Sequence, residues 1–223
     1  ADIAEPRVLN RKIAYGTQNI AHGPAMKREQ ALQAIRTGFA LAQATGADVI
    51  GIGEMGIGNT TTSAAVLSVL LDADVEAVTG RGGGITDESF QMKKQVIRNA
   101  IAINHPDKND VIDVLSKVGG FDLAAMCGVF LGGAVYGVPV LMDGFISSVA
   151  ALCAVRLCPL AKQAIFASHV SAEPAGELLL KELGKLPLLT AGMRLGEGTG
   201  AVAAMPLLDM ALAVYRDSYT FSE

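Results

Sequence analysis

The chain has 223 residues, 51% of them hydrophobic and 18% charged, with a formal charge of −4. That balance builds a packed core in one large or two small domains and carries no disorder signature. The negative excess excludes nucleic acid and anionic membrane surfaces as main partners, so any phosphate must be held by backbone dipoles and a few cations.

Residues 1–26 read as mostly irregular, punctuated by Pro6, Gly16, Gly23 and Pro24. The N-terminal ADIAEPRVLNRK is polar, unlike a secretory signal. Ala31, Ile35, Phe39, Leu41 and Ala42 recur at helical spacing and predict a helix over 27–45, stopped by Gly46. Ala47 to Ile52 is a short apolar strand, broken by glycines at 51, 53, 56 and 58 before Asn59-Thr60-Thr61-Thr62 opens a helix to Leu71. Strand, glycine loop and helix N-terminus make an anion site, because unpaired first-turn N–H groups and hydroxyls converge there.

Two familiar loops are nearly spelled in this stretch. Gly51-Ile-Gly53-Glu-Met-Gly56 satisfies G-x-G-x-x-G, with Glu76 twenty residues beyond, which would suit a dinucleotide-dependent oxidoreductase. Glu76, however, starts the next apolar run rather than ending it, and Glu54 would push a carboxylate toward a pyrophosphate. Gly53 to Thr60 also has the spacing of a Walker A loop, but Asn59 stands where the lysine should be. A monophosphate beside a carboxylate with its own task fits better.

Val75 to Thr79 predicts a second strand that completes a βαβ unit and ends in the glycine loop 80–84. A helix over 87–103 follows, with Lys93 and Lys94 in its middle; Lys94 reads as part of a solvated face. Pro106 ends that helix, and three histidines without ligand spacing argue against a metal site. Next come a short helix over 110–117 and an apolar helix to Tyr136 with Asp122 as its N-cap. A strand over 138–142 then closes on Asp143-Gly144, and Ser147-Ser148 start another helix. Leu123 to Met142 runs without a charge, but its glycines and Pro139 make a buried helix and strand the better reading than a membrane span. A strand over 164–169 precedes Ser171, Glu173 and Pro174, which open a helix to Leu183. Arg194-Leu195-Gly196-Glu197-Gly198-Thr199-Gly200 leads into an apolar helix over 201–215. The alternation predicts an α/β fold with a doubly wound, mostly parallel, Rossmann-like sheet and polar loops along one edge. Two glycine-flanked carboxylates, Glu54 and Glu197, point to chemistry at that edge. Cys127, Cys153 and Cys158 lie in apolar stretches without C-x-x-C spacing, as expected of reduced thiols in a cytoplasmic protein.

In order and spacing, GIGEMGIGNTTT at 51–62, TGRGGG at 79–84, GGFDLAAMCG at 119–128, VLMDGFISS at 140–148, SHVSAEP at 168–174 and RLGEGTGA at 194–201 carry one resemblance. The chain resembles the nicotinate-nucleotide–dimethylbenzimidazole phosphoribosyltransferases of cobalamin lower-ligand synthesis. Family members have a further N-terminal portion that helps form a small helical domain and part of the benzimidazole pocket. The resemblance implies one α/β domain over 1–223, with 1–45 and 200–223 contributing to a small helical subdomain, and a homodimer without cofactor or metal. It implies transfer of phosphoribose from nicotinate mononucleotide to 5,6-dimethylbenzimidazole, giving α-ribazole 5′-phosphate and nicotinate. Glu197 matches the general base, and Glu54 and Lys93 positioning groups in the site. Gly56, Gly58, Asn59, Thr60, Gly82, Gly83, Asp143, Ser171, Arg194, Leu195 and Gly196 fall in the matching runs as substrate-binding positions. A nucleotide-binding module that is inactive without the N-terminal portion is the alternative, beside the oxidoreductase.

Overall fold

A computed structural model describes residues 7–218. Helix α1 (Arg28–Ala44) leads into the two-residue strand β1 (Ile50–Gly51), and α2 (Asn59–Leu71) follows the glycine loop. Every residue of α2 from Ser63 to Leu70 is buried. A helix apolar on all sides belongs inside the core, and α2 packs there against α4 (Asp87–Asn104), α5 (Val111–Val118) and α7 (Phe145–Leu157).

Helix α6 (Phe121–Tyr136) lies against α1, and three further strands follow: β2 (Val140–Met142), β3 (Ile165–His169) and β4 (Pro187–Leu189). All pairings are parallel, in the order β1-β2-β3-β4, with Ile50 beside Val140, Val140 beside Ile165, and Ala167 beside Pro187. Alternation along β2 shows how the sheet is covered. Val140 and Met142 join the large core, whereas Leu141 packs with Ala201 and Ala204 of α9 (Thr199–Asp217). The fold is therefore α/β, a parallel sheet with helices on both faces. Helix α8 (Gly176–Leu183) forms the β3-to-β4 crossover. No helix among the described residues is long and apolar enough to cross a membrane, and the uncharged run from Leu123 divides into α6 and β2.

Three expectations need correction, and one strand is additional to them. Val75–Val78 is a helical turn, α3, and not a strand. Asp74 caps it by accepting from the Glu76 N–H, and buried Val75 and Val78 stand three apart, a helical spacing that a short apolar run disguises. Lys94 is not solvated: it is 7% exposed, paired with Glu76 and stacked over Phe90. Asp122 is not an N-cap; Gly120 takes that place, and the Asp122 carboxylate turns instead to Asn59. Strand β4 is absent from the sequence pattern because Pro187 disguises it; an edge strand tolerates the missing N–H. Pro6 and the last residues of the 200–223 segment lie outside the described residues.

Candidate active site

The C-terminal ends of β1, β2 and β3, with the segment between β4 and α9, converge on one cleft of about 270 Å³. Ligands of open α/β sheets gather at this edge because helix N-termini and loop amides face it. Helices α2, α7 and α9 open toward it, with Gly58, Gly144 and Gly198 as their N-caps and no side-chain cap among them. First-turn N–H groups are thus left to other partners, and the positive ends of the helix dipoles point inward.

The cleft gathers most of the residues singled out from the sequence. Glu54, Gly56, Asn59 and Thr60 come from the first loop, Gly82 and Gly83 from the second, Asp143 from the end of β2, and Ser171 from beyond β3. Arg194, Leu195, Gly196 and Glu197 complete the lining. Two expected residues stand back from it. Gly58 caps α2 in the left-handed conformation, with φ of 79°. Lys93 lies behind the wall, where its ammonium donates to Thr60 Oγ1 at 2.9 Å and Gly80 O at 2.8 Å, tying the two glycine loops together. Burial lowers the Lys93 pKa, opposed by the charge of Glu173.

Glu54 Oε2 accepts from the Gly56 N–H at 2.9 Å and from Asn59 Nδ2, which also donates to Asp122 Oδ2 at 2.8 Å. Desolvation raises the Glu54 pKa; the Asn59 and Gly56 bonds oppose the shift, while the charges of Asp122 and Asp143 add to it. Glu197, in the adjoining loop, is exposed, at φ of 59°, between left-handed Gly196 and Gly198. A Cβ on Gly196 would stand 3.8 Å from Glu54 Oε1, so the two glutamate segments face each other closely.

The spelling GEGTG follows from contacts. A Cβ on Gly200 would meet His169 Nδ1 at 2.0 Å and Asp143 Oδ1 at 2.6 Å. A Cβ on Gly53 would meet Gly198 N at 2.3 Å, so the β1 loop and the Glu197 loop touch backbone to backbone. Thr199 Oγ1 donates to Gly196 O at 2.7 Å and closes the turn.

Sequence reasoning passed over His169, Glu173, Met55, Phe145 and Ile146 as lining residues. His169 ended a polar strand terminus, which was the available signal; the apolar three gave none. Ser168 Oγ lies 3.4 Å from Asp143 O and 3.0 Å from His169 Nδ1. With Ser168 donating to that carbonyl, Nδ1 carries the ring proton and Nε2 is an acceptor, a tautomer assigned from the network. Burial lowers the His169 pKa, with Asp143 opposing, which favours the neutral ring. Glu76 does not serve a ribose: it pairs with Lys94 and Arg98, and those hydrogen bonds lower its pKa. The G-x-G-x-x-G reading loses its acidic partner.

The fold is α/β, with a cleft at the C-terminal strand ends where glycine loops and helix N-termini meet the carboxylates of Glu54 and Glu197, and the chain belongs to the phosphoribosyltransferase family whose profile matches residues 1–223. Within that class it falls among the nicotinate-nucleotide–dimethylbenzimidazole phosphoribosyltransferases. The relative of that name from Clostridium acetobutylicum is 50% identical over 99% of this chain and 64% of its own length. The one from Acetivibrio thermocellus is 49% identical over 97% and 62%. The crystal structure of CobT from Thermus thermophilus superposes with a TM-score of 0.91 at 41% identity, covering all of this chain and 68% of that one. The chain thus spans less than two thirds of the length of these curated relatives.

Proposed function

We propose that this chain carries the catalytic α/β portion of an enzyme that transfers phosphoribose from nicotinate mononucleotide to 5,6-dimethylbenzimidazole. The reaction is a single displacement with inversion. The incoming imidazole nitrogen bonds to C1′ as the C1′–pyridinium bond breaks, and the electron pair returns to the ring nitrogen of nicotinate. The leaving group departs neutral and needs no general acid. The imidazole proton goes to Glu197.

The observation that carries this reading is exposed Glu197 on its left-handed turn, lining the same cleft as Glu54, whose loop it adjoins. The phosphate has a place at the uncapped N-terminus of α2 with Thr60, Gly82 and Gly83. Arg194 is the one Lys or Arg among the described residues lining the cleft. Met55 and Leu195, 76% and 72% exposed beside the two glutamates, offer apolar faces to flat rings. The C-terminal half of α9 is exposed all round, with Met210, Leu212, Val214 and Tyr215 left uncovered, which supports a homodimer and a small helical subdomain on the 200–223 side. Within the 1–45 segment, helix α1 packs into the main core. Free cysteines, Cys127 and Cys153 buried, fit a cytoplasmic setting.

The test is incubation of the protein with nicotinate mononucleotide and dimethylbenzimidazole, followed by chromatography for nicotinate and α-ribazole 5′-phosphate. Nucleotide binding without nicotinate release would show a binding module. Hydride transfer with a nicotinamide dinucleotide would show an oxidoreductase.

A further inference from the structure

We propose that Asp143 is a positioning residue that holds Glu197 in its reactive place, acting through the backbone of the 196–200 turn rather than on substrate. The proposal rests on Glu197 being the base. Asp143 ends β2, is 3% exposed, and spends both carboxylate oxygens on that turn: Oδ2 accepts from the Gly198 N–H at 3.1 Å and Oδ1 from the Gly200 N–H at 2.6 Å. These are the amides of the N-cap and of the second residue of α9, which has no side-chain cap of its own. A carboxylate from another element therefore neutralises the α9 N-terminus, and the ligand anion is left to α2 and α7.

What Asp143 opposes is backbone strain. Gly196, Glu197 and Gly198 have φ of 79°, 59° and 80°, three left-handed residues in succession, and the middle one carries a side chain. A left-handed residue with a Cβ is strained relative to an ordinary conformation, because the Cβ crowds the following carbonyl oxygen. Hydrogen bonds to a buried carboxylate are among the stronger ones and fix geometry as well as energy. Without them the turn can relax and carry the glutamate away from the cleft. The approach of His169 Nδ1 to Asp143 Oδ1, 3.9 Å, and the close contact of Gly200 with both side chains lock the carboxylate from behind.

The experiment is a double-mutant cycle with Asp143→Asn and Glu197→Gln. Asparagine keeps the volume but turns an N–H group toward one of the two amides. A misplacement near 1 Å costs on the order of 10²-fold in rate. The expected result is a kcat loss of that size for Asp143→Asn with KM for nicotinate mononucleotide nearly unchanged, and no further loss when it is added to Glu197→Gln. The same loss factor in both backgrounds, or full kcat in Asp143→Asn beside an inactive Glu197→Gln, overturns the positioning role alone. Full kcat in Glu197→Gln overturns the base assignment and this proposal with it. Amide exchange in the unmodified protein gives a readout that does not depend on the variant folding. The Gly198 and Gly200 amides should exchange far more slowly than that of exposed Leu195, and equal rates overturn the proposal.

Discussion

Gly53 offers the sharpest perturbation of the Glu197 turn. A methyl group placed there by Gly53→Ala would stand 2.3 Å from Gly198 N, 2.5 Å from Gly198 Cα and 2.7 Å from the Glu197 carbonyl carbon. All three are backbone atoms, so no rotamer change relieves the contact. Opening 2.3 Å to the 3.4 Å of ordinary contact takes about 1 Å, shared between the two loops. Overpacking of this kind costs about 1–3 kcal/mol in stability, and a displacement of that size at a reacting group is worth on the order of 10²-fold in rate. Gly53→Ala should therefore fold, melt a few degrees lower, and lose about two orders of magnitude in kcat. Nicotinate release under saturating substrates measures the kinetics, and calorimetry the stability. Gly23→Ala is the control, since a Cβ there meets nothing within 4 Å. A folded Gly53→Ala protein with unchanged kcat would refute the reasoning that backbone contact fixes Glu197.

Glu197→Gln keeps shape and loses basicity, so kcat should fall by roughly 10²–10⁴ while nucleotide affinity by titration calorimetry stays near its starting value; near-full turnover would sink the base assignment. Glu54 has a raised pKa, so the folded state favours its protonated form, and its ionisation weakens the fold as pH rises from the unfolded value near 4.5 through the folded one. Glu54→Gln should accordingly raise the melting temperature at pH 7 and lose that advantage by pH 4; a variant less stable at pH 7 contradicts it. Gly58→Val forces a β-branched residue to a φ of 79° and should raise KM for the nucleotide, with circular dichroism checking the fold; normal affinity in a folded variant argues against the α2 anion site. Turnover should survive EDTA, because a neutral ring nitrogen leaves rather than a pyrophosphate; loss on chelation and recovery with Mg²⁺ would reverse that conclusion.

The helices were largely legible because their signals are local. Asp110 accepts from the Ile112 and Asp113 N–H groups, Thr86 from the Ser89 N–H, and Gly137 and Gly184 end α6 and α8 in the left-handed conformation. The strands were less so. A buried parallel strand reads as an apolar run, and its length depends on the neighbour it finds: Ala47 to Ile52 yields only Ile50–Gly51 because Val140 and Leu141 offer two partners. Val75 to Thr79 presents the same kind of run, but with Asp74 capping it and no neighbouring strand among the described residues it closes into a turn of helix. Lys94 shows the converse. Its burial depends on Glu76 and Phe90 arriving from other turns, which helical spacing alone does not announce.

At the site, glycine and hydroxyl clusters marked the loops because backbone conformation and ligand approach both demand those residues. What they could not mark was how one loop constrains another. The Lys93 ammonium ties Thr60 to Gly80, and the Asp143 carboxylate, itself in the cleft wall, accepts from the Gly198 and Gly200 amides, contacts that no single stretch of sequence announces. This resolves the electrostatic difficulty of a cleft lined by Glu54, Asp143, Glu173 and Glu197 with Arg194 as its one guanidinium among the described residues. The Asp143 carboxylate is bonded to the Gly198 and Gly200 amides at the α9 N-terminus, and burial pushes the Glu54 pKa up. In the reaction proposed above, the uncapped amides of α2 and α7 are then the groups that meet the monophosphate, and exposed Glu197 is the one that takes the proton.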